Sequence, residues 1–214
     1  MSLTMLYDLC IATAETLYMV TCSTLGAILL GLPLGTWLFI CKTIRPKPRL
    51  AQLLSGLINV SRSIPFIILL VALIPFTRLI VGSSIGIHAA IVPLILGATP
   101  FFARLVDNTY LNLSSGLIET GLSMGATTWQ MIRHIFFPEA LSPFIQAITV
   151  TAITLVNYSA MAGTVGGGGL GDLAIRYGYQ RFDVTIMLAT VIILIFIVQG
   201  IQWLGDKLSK PPVP

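Results

Sequence analysis

No Asp, Glu, Lys or Arg occurs between Glu15 and Lys42, and the same holds from Ala140 to Gly171 and from Val184 to Gly205. Each window reaches the roughly 20 residues that a helix needs to cross a hydrocarbon layer. In lipid the backbone must satisfy its own hydrogen bonds, so windows of this kind fold as helices. Two further spans carry charge: one over residues 50–79 with Arg62 inside it, and one over 88–111 with Arg104 and Asp107 near its end. The stretch Gly82-Ser83-Ser84-Ile85-Gly86 separates them as a turn. Only 9% of the 214 residues are charged, against about 25% in a soluble domain. The expectation is an all-α polytopic membrane protein, a single domain over 1–214 with five spans at 14–41, 50–79, 88–111, 140–165 and 184–205.

Lys and Arg set the orientation. The first 41 residues contain neither, only Asp8 and Glu15, whereas Lys42, Arg45, Lys47 and Arg49 follow the first span. Arg133 and His134 lie between the third and fourth spans, and Lys207 and Lys210 lie in the tail. The positive-inside bias puts these three regions in the cytoplasm and the N-terminus outside, with Arg78, Arg176 and Arg181 as the minority on the outer face. The lack of a basic leader region argues that the first span is retained rather than cleaved. Cys10, Cys22 and Cys41 show no metal-binding spacing and read as small apolar packing residues. The net charge of +4 is accounted for by topology, and nothing points to nucleic acid.

Two motifs of soluble enzymes match by letter only. Gly82 to Gly86 spells GxSxG, but a nucleophile elbow needs a strand before it, a helix after it, and an acid and then a histidine downstream. An intramembrane hydrolase using Ser84 with His88 is therefore a remote alternative. Gly166 to Gly171 contains GxGxxG without the βαβ unit that a dinucleotide site requires. Two readings of it stand: a flexible outer loop, or a hinge or constriction at the outer mouth of a pathway.

The polar segment 113–138 is patterned as a short helix over 117–124, a turn near Gly125 and a second helix over 127–136. Pro138 is expected to end the second helix, because it has no N–H to donate. Leu117, Ile118, Met124, Trp129, Met131 and Ile132 offer apolar contact area, and Glu119 offers a charge for a basic partner. The residues alone allow a docking prong or an interfacial helix resting on lipid headgroups. The chain has no Walker A motif, so a transporter built on it must receive work from a separate ATPase.

Glu119, Gly125, Ile135 and Pro138 match the EAA loop of ABC importer permeases, E-A-A-x3-G-x9-I-x-L-P, at every interval. Thr120, Gly121 and Phe137 depart from it while keeping small or apolar character. The likeness extends over Arg62 to Leu70, Ile74 to Arg78, Pro100 to Val106, Tyr158 to Met161 and Gly166 to Gly171. Over these segments the chain resembles the permease of methionine-type ABC importers, which belongs among binding-protein-dependent inner-membrane components. The resemblance implies a homodimer with five helices per chain in the bacterial inner membrane. It also implies two ATPase subunits that bind ATP and Mg, and a periplasmic or lipid-anchored binding protein that delivers L- or D-methionine. This chain would then hold no cofactor, perform no catalysis, and couple to the ATPase through Glu119, Gly121, Gly125, Ile135 and Pro138. The same mechanism with another amino acid or small solute is the alternative.

Charges within spans need partners, since each costs about 2.5–3.5 kcal/mol at mid-bilayer on insertion scales. Arg104 and Asp107, three apart on one helix, are expected to pair. Arg62 either snorkels toward the cytoplasm or serves a gate. Asn157, Tyr158, Ser159 and Met161 form a polar and soft cluster in the fourth span, which reads as a pathway or gate, as a helix contact face, or as both in a symmetric dimer. Gly31 and Gly35 form a GxxxG packing pair.

Overall fold

The structure, a computed structural model, describes residues 3–209; the side chain of Ser115 is outside the description, as is Lys210 of the basic tail. The first helix, α1 (Leu3–Phe39), runs on through a wider π turn (Ile40–Ile44), giving 42 residues of continuous helix. At 1.5 Å per residue this is about twice what a bilayer needs. It starts eleven residues before the expected position 14, because Leu9 and Ala12 are buried against Leu170, Leu173 and Ile186 rather than against lipid. Protein packing therefore extends the helix past the point where hydropathy fades.

The second span differs most from expectation. Instead of one helix over 50–79 there are three: α2 (Pro48–Ser63), α3 (Phe66–Ala72) and α4 (Ile74–Val81), with a bend of 97° between α2 and α3. Pro65 is the cause of the first break. Ile64 before it is extended (φ −79°, ψ 124°), as a residue preceding proline prefers, and the proline nitrogen has no hydrogen to continue the ladder. Pro75 opens α4 in the same way.

The remaining long helices are α5 (Ile87–Leu111), α9 (Leu141–Gly163) and α11 (Val184–Ser209). Among the described residues four helices are long and apolar enough to cross a membrane, or five if the bent pair of α2 and α3 counts as one broken span. Short segments connect them: α6 (Ser115–Ser123), α7 (Thr128–Gln130), a π turn (Met131–Phe136) and α8 (Phe137–Glu139) between α5 and α9. Then α10 (Gly169–Leu173) and a third π turn (Ala174–Tyr179) lead from α9 to α11.

The centre of the fold is the α1–α5 pair. A Cβ on Gly31 would lie 2.9 Å from the Thr99 carbonyl oxygen, and one on Gly35 would lie 2.4 Å from that of Ala103, so the GxxxG pair is the place where α5 touches the α1 backbone. One core cluster joins Met19, Ala27, Leu94, Ala98 and Leu155 with Phe66 of the broken span. A second cluster, toward the 113–138 segment, is aromatic: Phe39 stacks on Tyr110 at 5.0 Å, and Phe136 and Phe144 set their edges against that pair. Of the three cysteines, Cys41 is buried, Cys22 half-buried and Cys10 exposed, so the packing role falls mainly on Cys41.

The Gly166–Gly171 stretch is largely buried rather than an open loop. Gly166, Gly168 and Gly169 take φ of 83°, 80° and 73°, and fold the chain back so that α10 is buried against α9 and α1. The Gly169 N–H donates to Glu15 Oε2 at 2.8 Å, and the Leu170 N–H donates to Thr16 Oγ1 at 2.9 Å. The carboxylate and hydroxyl of α1 thus cap a helix 154 residues away.

Candidate functional site

Segment 113–138 folds as a closed prong. Helix α6 ends in a Schellman motif: the Ala126 N–H donates to the Gly121 carbonyl at 3.0 Å, the Gly125 N–H donates to the Leu122 carbonyl at 3.0 Å, and Gly125 has φ 71°. Only a residue that tolerates the left-handed region closes this turn cheaply. The chain re-enters helix through a capping box, in which the Thr127 side chain and the Gln130 side chain each accept from the other's backbone N–H. Gly121 is buried where α6 crosses the π turn; a Cβ there would lie 3.1 Å from Met131 Cε and 3.3 Å from Ile135 Cδ1.

The apolar residues of the prong divide by direction. Met131, Ile132 and Phe136 are buried, and Leu117, Ile118 and Ile135 are half-buried in the same aromatic cluster, so they root the prong rather than present it. Facing out are Leu122 (55% exposed), Met124 (79%) and Trp129 (67%), together with Glu119, which forms none of the ion pairs among the described residues. Leu122 was missed as contact surface, although it lies three residues after Glu119 on the same helical face. Pro138 does not end a helix. It sits in the first turn of α8, where a missing N–H costs nothing, and the preceding π turn passes the Phe137 N–H to the Ile132 carbonyl five residues back.

The expected pairing of Arg104 with Asp107 is present at 3.0 Å, and Lys42 adds a second cation at 2.6 Å. Arg104 also donates to Asn59 Oδ1 at 2.9 Å and to Ser55 Oγ at 3.3 Å. The Asp107 side chain is fully buried. This network ties the end of α1, the middle of α2 and the end of α5 together beside the root of the prong. The Lys42 partner lies 65 residues away in sequence, beyond the reach of local pattern.

The fourth-span cluster is not gathered at one point. Asn157 and Met161 are exposed on one face of α9, four residues apart. Ser159 is buried and donates to the Val156 carbonyl at 2.8 Å. Tyr158 stacks flat on Phe66, with ring centroids 4.2 Å apart, and lines a cavity of about 240 Å³ with Arg62 and Phe101. Helical periodicity sends neighbours in sequence to different sides.

Ser84 lies in the turn between α4 and α5, and His88 sets its ring edge-on to Tyr18 at 5.8 Å. Neither joins the other by a hydrogen bond among the described residues. No cluster of three or more His, Cys, Asp or Glu that could hold a metal ion occurs among them either.

A family model described as the binding-protein-dependent transport system inner membrane component matches residues 27–210. The chain belongs to that family. It is 52% identical over 201 residues to the probable D-methionine transport system permease protein of Vibrio cholerae, covering 93% of this chain and 89% of that one. It is 50% identical over 151 residues to the D-methionine transport system permease protein of Escherichia coli (strain K12), covering 70% of each. Among solved structures, an inward-facing conformation of the MetNI methionine ABC transporter superposes with a TM-score of 0.94 at 46% identity, covering 98% of both chains. An amino acid ABC transporter crystallised with histidines shares the fold at TM-score 0.74, with 18% identity over 92% of this chain and 91% of that one. The likeness to methionine-type permeases read from the sequence therefore holds along almost the whole chain.

Proposed function

We propose that this chain is the permease subunit of an ATP-driven methionine importer, which works as a homodimer by alternating access and receives its power stroke through the 113–138 prong. The observation that carries this reading is the build of the prong. Its turn is locked by Gly125 and the Thr127–Gln130 capping box, its root shares the core of α1 and α5, and its tip exposes Leu122, Met124, Trp129 and Glu119. A push delivered at that tip reaches the membrane helices without being absorbed by a soft joint. Gly121, Ile135 and Pro138 shape the root, and Glu119 with the exposed apolar residues meets the partner.

The prong faces the cytoplasm in this reading, as does the C-terminus, while the N-terminus faces out. Two ATPase subunits bind ATP and Mg; a periplasmic or lipid-anchored binding protein delivers the substrate. The exposed face of α9 that carries Asn157 and Met161 contacts or faces a second copy and lines the pathway between them. Lipid covers α11, whose outer surface carries Leu188, Ile192, Ile195 and Phe196.

The direct test is reconstitution of this chain with its ATPase and binding protein in vesicles, followed by ATP-dependent uptake of labelled L- and D-methionine against other amino acids. Methionine uptake is expected; ATP-dependent uptake of a different solute alone would replace the substrate and keep the mechanism. A Gly125→Val variant is expected to remain in the membrane, since an added Cβ meets nothing within 4 Å, while the left-handed backbone costs about 1–2 kcal/mol at the turn. Uptake should fall more than tenfold while ATP hydrolysis persists. Uptake at the wild-type rate would remove the docking role from the prong.

A further inference from the structure

Arg62 stands at the end of α2, immediately before the break at Ile64 and Pro65. Its guanidinium lies over the Phe101 ring, 5.6 Å from the centroid. Phe101 is fourteen residues from the start of α5 and ten from its end, which places the guanidinium about 21 Å and 15 Å from the two ends along the axis. The charge therefore lies near the middle of α5, on a residue that is exposed in the single chain. An intramembrane charge at such a depth is retained where it has a partner or a function.

Among the described residues, Arg62 has no carboxylate partner; the three ion pairs there belong to Lys42, Arg104 and Arg176. Arg104 is the instructive contrast, with Asp107, Asn59 and Ser55 all engaged. A second copy of the chain offers little remedy. Between Glu15 and Asp172 the only acidic residue within a long helix is Asp107, and it is already buried against two cations.

The guanidinium lines a cavity of about 240 Å³ with Ser61, Ile64, Phe66, Leu69, Phe101 and Tyr158. Gly97 forms its floor, where a Cβ would come within 3.3 Å of the Phe66 ring. The cavity is smaller than the roughly 300–1,000 Å³ of drug-sized sites, which suits a solute of a few heavy atoms. Two aromatic faces and a leucine accept an apolar side chain. The helix α2 ends at this cavity, and Pro65 supplies no N–H to its last carbonyls, so acceptors stand there for an ammonium group.

We infer that this cavity is a transit subsite for a free amino acid, with Arg62 holding the α-carboxylate and Phe101 and Tyr158 flanking an apolar side chain. The inference rests on the importer reading above and adds a binding station within the permease itself. A bidentate guanidinium–carboxylate contact supplies orientation as well as charge neutralisation, which a lysine reproduces only in part. The station has to be weak, because a transported solute must leave it.

The test uses the detergent-solubilised complex of this chain with its ATPase, without the binding protein, and a photoreactive diazirine analogue of methionine at millimolar concentration. Irradiation is expected to label the peptides that carry Phe101 or Tyr158. Excess L-methionine should reduce that labelling at least tenfold, whereas methioninamide, which lacks the carboxylate, should leave it within about twofold. Arg62→Gln should lose the labelling tenfold and Arg62→Lys should recover part of it. Equal competition by the amide, wild-type labelling of Arg62→Gln, or label found only elsewhere would overturn the subsite. Should Arg62→Gln fail to fold, the amide competition on the unaltered complex decides alone. Vesicle uptake measured in parallel separates the two readings: uptake without this labelling overturns the subsite only, and absence of any amino-acid uptake overturns the importer reading.

Discussion

Gly163→Ala is expected to lower the unfolding free energy of the protein in detergent by about 3 kcal/mol or more, an effect larger than one methyl group ordinarily produces. The added Cβ would stand 2.2 Å from the Asp172 nitrogen and 2.5 Å from the Gly171 carbonyl carbon, both backbone atoms with no rotamer to yield. A Cβ on Gly171 would meet the same limit from the other side, 2.4 Å from the Ala160 carbonyl oxygen. Relief requires α10 to move away from α9. That motion would stretch the hydrogen bonds from Gly169 and Leu170 to Glu15 and Thr16 on α1, the first of which is charge-assisted and worth about 1.5–3 kcal/mol. Gly200→Ala is the control, because nothing lies within 4 Å of its Cβ position and alanine gains roughly 0.5–1 kcal/mol over glycine inside a helix. Thermal unfolding followed by circular dichroism should separate the two variants clearly. Equal melting temperatures would show that α10 is not packed as described.

Asp107→Asn is the second substitution with a large expected effect. It removes the anion between Lys42 and Arg104 and leaves two cations facing one another. Breaking a buried pair from one side typically costs about 3–5 kcal/mol. Here Lys42 and Arg104 keep 26% and 21% of their side-chain surface accessible, so solvent takes up part of the load and about 2–3 kcal/mol is expected. Adding Lys42→Met to Asp107→Asn should recover part of the loss, since residues that share one network do not act additively. Melting temperatures of the two singles and the double give the coupling directly. A double variant whose loss equals the sum of the singles would show that Lys42 and Asp107 do not interact in solution.

How far the sequence could be read depended on the range of each interaction. The helix over 88–111 and the one that begins at Val184 follow from hydropathy, which every residue carries by itself. The prong was legible because its parts are local: Gly125 and the Thr127–Gln130 box act within a few residues. Its inward and outward faces were less so. Met131 and Ile132 look like contact surface in a linear reading, and only the aromatic cluster of Phe39, Tyr110 and Phe144 shows what they are packed against. The glycine run left two readings open for the same reason. Glycines that free a loop and glycines that admit a neighbour's backbone are the same letters, and Glu15 and Thr16, which fix this run, lie on another helix.

The break in the second span was available in principle, since Ile64-Pro65 disfavours helix at the residue before proline, yet proline also occurs at positions 93 and 100 within the unbroken α5. What differs is the surroundings. By itself the sequence determined that the chain is a bundle of membrane helices with a motif-bearing prong between the third and fourth spans, because burial in lipid and helix capping are decided by composition and by neighbours along the chain. The tertiary structure alone decided that Asp107 is held by Lys42, that Glu15 caps α10, that Tyr158 turns away from Asn157 to stack on Phe66, and that Arg62 lines a cavity with no carboxylate partner among the described residues. Those outcomes depend on which helix faces which, and on the few ångströms by which glycine lets two backbones approach.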